Sequence, residues 1–238
     1  IYSIAVVLLE IPSGYFADVW GRKNTLIIGS ILGTLGFVIY SFSEGFMGFL
    51  VAELVLGVAG SFISGSDSAL LYDSLLMEKR EKEYIKIEGR VISLGNFAET
   101  IAAIGGGFLA EISLRSPFIA QIFIAAIAIP AAFTLIEPNL GNIRKAKFNE
   151  ILKIVRYSLF DNKILRSNIL FSAIIGASTL TFAWFVQPFL LLINFKPSEI
   201  GISWSLLNLT VAVSTLYAYK IERKLGKNLT IILITVVI

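Results

Sequence analysis

Gly14-Tyr15-Phe16-Ala17-Asp18-Val19-Trp20-Gly21-Arg22-Lys23-Asn24 is a polar hinge set between two apolar runs, Ile1 to Phe16 and Thr25 to Phe42. A helix needs about 20 mainly apolar residues to cross a bilayer, and each run reads as such a helix. The hinge is then a tight turn at the membrane surface. Gly14 and Gly21 are expected to let the two backbones come close and turn sharply. Asp18 falls near the end of one helix and close to the start of the next, where an anion is favoured. Arg22 and Lys23 stay charged and are expected in water on the cytoplasmic side.

Composition agrees with the hinge. The 238-residue chain is 56% hydrophobic and 16% charged, against about a quarter charged in soluble domains. Its mean hydropathy is +0.80. The class is an all-α polytopic membrane protein. A net charge of +3 raises nucleic acid as a partner, but the cations are confined to short loops between apolar runs. That is an orientation signal rather than a nucleic-acid face, so no nucleic acid is expected. The chain has no Cys and no His, which removes thiol nucleophiles, imidazole bases, disulfides and Cys/His metal sites. No metal and no cofactor are expected. The first residue is Ile and both ends are apolar, and the chain reads as a fragment cut within two helices.

The spacing Gly14-x-x-x-Asp18-x-x-Gly21-Arg22-Lys23 resembles motif A of the major facilitator superfamily (MFS), the loop between its second and third helices. Both glycines, the acid and the basic pair match. The resemblance implies the MFS fold, two pseudo-symmetric six-helix halves, of which only part is present here. It also implies a central cavity between the halves and alternating access by rocking. Gly14, Asp18, Gly21, Arg22 and Lys23 would be its conformational gate.

Counted as the resemblance implies, the second helix runs to about Phe16 and the third from Asn24 to Phe42. The fourth runs from Phe46 to Tyr72, the fifth from Arg90 to Glu111, and the sixth from Pro117 to Ile136. The seventh follows from Ser167 to Leu192, the eighth from Ile200 to Tyr219, and a ninth has begun by Leu229. Residues 1–137 are thus the N-terminal half without its first helix. Residues 138–166 are a cytoplasmic linker with a basic amphipathic helix lying on the membrane surface. Residues 167–238 begin the C-terminal half. Arg115 and Lys196 alone fall in one set of alternate loops, and the other Lys and Arg residues, of 20 in all, fall in the opposite set. The basic set is cytoplasmic by the positive-inside rule. The location expected is the plasma (cell inner) membrane. Ile221 to Asn228 weakly echoes the hinge after the eighth helix, as parallel halves require.

Carboxylates inside apolar helices are the sharpest further signals, because an acid at mid-membrane costs about 2.5–3.5 kcal/mol on insertion scales. Glu10, Glu53 and Glu99 qualify. Each is either a structural acid satisfied by a partner or a titrating group. Glu53 stands in Glu53-Leu-Val-Leu-Gly57, which resembles motif B of the family with Glu in place of its Arg. Gly95 to Gly107 resembles motif C of the antiporters, with Ala102-Ala103 in place of Gly-Pro, and contains Glu99. The glycines there are read first as packing residues. Asp67 and Asp73 are expected to pair with nearby cations or to cap the fourth helix. Trp184 and Gln187 share a helix face by their three-residue spacing, and with Asn208 they are candidate cavity residues. Trp204 reads as an interfacial aromatic.

Together these features predict a secondary active transporter, with proton-coupled efflux of small organic or drug-like compounds as the first reading. The motif C echo, and membrane acids without matching membrane cations, carry it. Uptake of a small solute by proton symport or facilitation is the alternative, and a non-transporting receptor or scaffold a remote one. An enzyme is not expected, because no nucleophile, base or metal cluster is visible. The expected partners are a small-molecule substrate, protons and the lipid bilayer, and the protein is expected to be a monomer.

Overall fold

A computed structural model describes residues 1–138, 153–226 and 229–230 of the chain. Eight α-helices are described: α1 (Tyr2–Trp20), α2 (Arg22–Phe42), α3 (Gly45–Ile63), α4 (Ser66–Met77), α5 (Tyr84–Ile112), α6 (Ser116–Thr134), α7 (Lys163–Leu192) and α8 (Pro197–Leu225). A short 3-10 turn, Glu81–Glu83, precedes α5, and a π turn, Tyr157–Asp161, precedes α7. No strand is present among the described residues. With α3 and α4 taken together, 7 segments are long and apolar enough to cross a membrane. They are the second to eighth helices of the sequence reading. The amphipathic helix expected in the linker, about Phe148 to Phe160, lies outside the described residues up to 152, while residues 153–156 are helical and run into the π turn. The ninth helix falls mostly on 231–238, also outside the described residues.

Several boundaries differ from the sequence reading, α5 for example starting at Tyr84 rather than Arg90, and two of the differences have a clear local reason. The fourth helix is not continuous. Ser64 turns to extended geometry and Gly65 takes φ 74°, ψ −27°, so α3 ends and α4 starts anew. The apolar runs on either side are together long enough to read as one span, which is why the pattern did not reveal the break. α4 then runs to Met77, so Asp73 lies within a helix rather than in a loop. Likewise α7 starts at Lys163, because Asn162 accepts hydrogen bonds from the Ile164 and Leu165 amides, both at 3.1 Å, and so caps the helix. In the loop after α4, Arg80 is held between Glu78 and Glu83, each at 2.8 Å. These bonds push its already high pKa further up.

The chain divides into two compact units. The first, Ile1–Tyr84 with Ser113–Ile151, holds α1 to α4 and α6. Here α2 is central. Small residues let α3 press against it, and a side chain at Gly36 would strike Leu56 within 2.6 Å. Against α6, Tyr40 stacks on Phe118 with ring centroids 4.5 Å apart. The Arg115 guanidinium donates to the Ser43 carbonyl at 3.1 Å. The second unit, Ile85–Ile112 with Leu152–Ile238, contains α5, α7 and α8. Its seam is between α5 and α8, where the stripe Ser198, Gly201, Ser205, Asn208 and Ala212 is buried. Ser93 donates to the Ala212 carbonyl at 2.7 Å and Ser205 to the Thr100 carbonyl at 2.8 Å. Hydroxyls at small residues thus join two closely packed backbones, as is usual for helices in lipid.

Candidate functional site

The hinge is a turn of one residue. α1 ends at Trp20, α2 begins at Arg22, and Gly21 between them has φ 93°, ψ 146°. An L side chain rarely adopts that backbone, so Gly21 supplies the turn. A helix start leaves its first amides without partners, and Gly21 has no side chain with which to cap them. The capping group comes from the far end of α6. Glu137 Oε1 accepts from the Arg22 amide at 2.9 Å, and Oε2 from the Lys23 amide at 2.6 Å. A Cβ on Gly21 would stand 3.1 Å from the Glu137 carboxyl carbon. Two constraints therefore meet at Gly21, its dihedral angles and the carboxylate above it.

The Arg22 side chain turns the other way. Its Nη1 lies 2.7 Å from Asp73 Oδ2 on α4, whereas its Nη2 lies 3.9 Å from Asp18 Oδ1 one turn earlier. The Asp73 side chain is 14% exposed and that of Asp18 44%. The expectation that Asp73 pairs with a cation is met, and Arg22 is that cation. The anion at the start of α2 is Glu137 and not Asp18. The hinge thus gathers the ends of α1, α2, α4 and α6 around one guanidinium and one helix start, through three carboxylates.

Gly14 behaves differently from Gly21. It lies within α1, and a Cβ built on it meets nothing within 4 Å. Among the described residues it makes no close packing contact. Four residues before it in the chain, Glu10 Oε1 accepts a hydrogen bond from Ser64 Oγ at 3.0 Å, at the break between α3 and α4. Pro12 lies two residues further along the same helix. Glu53 is placed on α3, and makes no hydrogen bond or ion pair among the described residues.

In the second unit, Glu99 Oε1 accepts the indole hydrogen of Trp204 at 3.0 Å. That bond crosses from α5 to α8 and gives Trp204 a specific partner. Of the motif C glycines, Gly107 packs against the backbone of Pro197 and Ser198, whereas a Cβ built on Gly95, Gly105 or Gly106 would meet nothing within 4 Å among the described residues. Asn208 is buried in the α5–α8 seam, and its Nδ2 has no hydrogen-bond partner among the described residues. Trp184 and Gln187 lie exposed on α7, and neither makes a hydrogen bond among the described residues. The structure therefore brings the hinge residues together but does not join Trp184 and Gln187 to Asn208. No group of three or more His, Cys, Asp and Glu placed to hold a metal occurs among the described residues.

Glu137 and Ser64 escaped the sequence reading. Glu137 stands 115 residues from Arg22 in the chain. The one signal was its place at the end of an apolar run, just before Pro138. Ser64 could have been found from the Ser61 to Ser68 stretch, where small and polar residues crowd an otherwise apolar segment.

Comparison with known proteins shows the family of the chain. The family model described as Major Facilitator Superfamily matches residues 1–238. An uncharacterized MFS-type transporter of Methanocaldococcus jannaschii is 25% identical over 97% of this chain and 60% of its own length. An uncharacterized MFS-type transporter of Bacillus subtilis is 24% identical over 96% of this chain and 58% of its own. Multidrug resistance protein 2 of Bacillus subtilis is 27% identical over 56% of this chain and 32% of its own. The chain thus spans somewhat under two thirds of the length of the first two relatives. No solved structure matches it.

Proposed function

Because the chain belongs to the major facilitator superfamily, we propose that it forms part of a secondary active transporter that works by alternating access and exports small organic, drug-like compounds in exchange for protons. The protein is an integral, multi-pass membrane protein of a transporter family, not an enzyme. The observation that carries the mechanism is the hinge, where Arg22 meets Asp73 at 2.7 Å while Glu137 caps the same helix. Such a cluster favours the conformation in which these helix ends meet, and breaking it is a discrete step between two states. Efflux rests on the relative named for multidrug resistance and on the motif C resemblance.

Glu99 is the first candidate for the coupling proton. Its carboxylate accepts from Trp204 in a seam between two spanning helices. Protonation would replace a charge that accepts the indole hydrogen with a neutral acid, and so weaken the tie between α5 and α8. Glu10 and Glu53 are the further candidates. Residues 1–137, 138–166 and 167–238 serve as first half, cytoplasmic linker and start of the second half. The basic loops face the cytoplasm of a cell whose plasma membrane holds the protein as a monomer.

The test is transport by the full-length protein in proteoliposomes. Ethidium and other lipophilic cations, with and without a pH gradient, are the substrates to try. Export that rises with proton influx and is lost in Glu99→Gln supports the reading. Export indifferent to the gradient refutes the coupling. Concentrative uptake down the proton gradient would instead establish symport.

A further inference from the structure

The seam between α5 and α8 has two unlike sides. Its facing residues pair in antiparallel order. Ser205 donates to the Thr100 carbonyl, Ser93 to the Ala212 carbonyl, and a Cβ on Gly89 would stand 3.2 Å from the Thr215 carbonyl oxygen. Helical spacing carries the facing stripe of α8 on to Tyr219 and Arg223. Each residue of an α-helix is turned about 100° from the last. The residue after each facing one therefore points to one flank of the seam, and the residue before it to the other. Both helices are right-handed and they run antiparallel, so a step forward on either helix leads to the same flank.

The two flanks differ in charge. One residue before the facing stripe lie Glu88 and Glu99 on α5 and Trp204 and Glu222 on α8, and this flank holds the Glu99–Trp204 bond. One residue after it lie Arg90, Leu94 and Ile101 on α5 and Leu206, Val213 and Lys220 on α8, all of them exposed. Arg90 and Lys220 share the end of the seam that carries the basic loops, and Lys224 follows Lys220 by one helical turn. None of these three cations makes an ion pair among the described residues. The Lys220 ammonium instead lies 5.2 Å from the centre of the Tyr217 ring and 6.0 Å from that of Tyr219. Ring faces attract a cation, and tyrosines are enriched at the level of lipid headgroups. Further along the same flank Leu94, Ile101, Val213 and Leu206 present an apolar wall. This flank thus has unpaired cations at one end and hydrocarbon along the rest, which is the order of charge and chain in a lipid.

We propose that this flank of the α5–α8 seam binds an anionic lipid, with its phosphate among Arg90, Lys220 and Lys224 and its acyl chains against Leu94, Ile101, Val213 and Leu206. Basic pockets between spanning helices suit such headgroups, and each Lys or Arg near an anionic membrane surface adds to the attraction. A soluble phosphate or nucleotide would use the cations but not the apolar wall. A further helix packed here would bury the cations in hydrocarbon without partners, which is costly. The lipid touches the start of α5 and the end of α8 together, so it ties the two helices at that end of the seam. Its binding stands whether or not protons drive transport.

The experiment uses the full-length protein in detergent, mixed with equal amounts of a phosphatidylglycerol and a phosphatidylcholine of the same chain length, and reads retained lipid by native mass spectrometry. The expected result is one phosphatidylglycerol held in clear preference. Arg90→Gln and Lys220→Gln should each weaken its retention about fivefold, and the double variant more than about tenfold. Lys153→Gln with Arg156→Gln removes the same charge ahead of α7 and should leave retention unchanged. Glycerophosphoglycerol or inorganic phosphate at the concentration of the lipid should not displace it. Elution as a monodisperse species certifies folding of each variant, and Lys224→Gln gives a second, independent probe on α8. Equal retention of the two lipids overturns the proposal, and is the result if another helix of the full-length protein covers this flank. A preference untouched by the double variant overturns it as well. Equal loss in the double variant and the control reduces the site to a general attraction between basic surface and anionic lipid. Displacement by glycerophosphoglycerol overturns lipid as the ligand in favour of a soluble anion.

Discussion

Replacing Gly21 by Ala should damage the hinge through two separable effects. The first is conformational, since φ 93°, ψ 146° lies near the region open almost only to glycine. Holding another residue there costs about 1–3 kcal/mol. The second is steric, because the new Cβ would stand 3.1–3.3 Å from the Glu137 carboxylate and push it off the Arg22 and Lys23 amides. Losing such a cap costs about 0.5–2 kcal/mol, toward the lower end here because Glu137 is exposed. Gly21→Ala should therefore cost about 2–4 kcal/mol, and Glu137→Ala about 1 kcal/mol. The two share one interaction, so the double variant should fall short of their sum by about 0.5–1.5 kcal/mol. Equilibrium unfolding of the full-length protein in mixed micelles with sodium dodecyl sulfate, followed by tryptophan fluorescence, measures all three. Additivity within about 0.3–0.5 kcal/mol would remove Glu137 from the hinge. A Gly21→Ala variant as stable as the parent would refute the strained turn itself.

Further outcomes follow from the same geometry. Asp73→Asn breaks the 2.7 Å pair with Arg22, whereas Asp18→Asn removes a partner at 3.9 Å; both should lower flux without abolishing insertion, Asp73→Asn by the larger factor, and equal flux in all three proteins would take the pairs out of the mechanism. Glu99→Gln should lose flux driven by a pH gradient while keeping substrate exchange, measured as counterflow of labelled substrate, and its retention of concentrative export would clear Glu99 of the coupling role. Ser113→Cys, in the exposed turn before α6, should label from outside intact cells, and labelling only after permeabilisation would invert the orientation drawn from the charges.

The seven spans were legible in the sequence because hydropathy and charge act locally, and each polar loop reports on itself. The hinge was legible for the same reason, since Asp18, Gly21 and Arg22 lie within one turn of chain. What escaped depends on contacts distant in sequence. Nothing around Glu137 marks it as the cap of α2, because only the packing of α6 on α2 brings them together. The break at Gly65 escaped because the residues on both sides are apolar enough to continue a span. Asn208 and Trp204 were read by residue type, one as a cavity group and the other as an interfacial aromatic. Their placement in the α5–α8 seam follows instead from the small residues at Gly201 and Ser205, whose spacing was visible but whose partner helix was not.

The cap supplied by Glu137 also sets an order of assembly during synthesis. The ribosome makes Arg22 long before its two kinds of partner. Asp73 on α4 is made first, and Glu137 comes 115 residues after Arg22. At about 5–20 residues per second, the start of α2 waits roughly 6–23 s for the carboxylate that completes it. Through that interval the nascent hinge is held by its glycine turn and, once α4 has emerged, by the Arg22–Asp73 pair. Its two leading amides face water or lipid headgroups until α6 leaves the translocon. Mutations at Glu137 should then show as slowed maturation and sensitivity to membrane quality-control proteases on newly made chains, even where the finished transporter works normally.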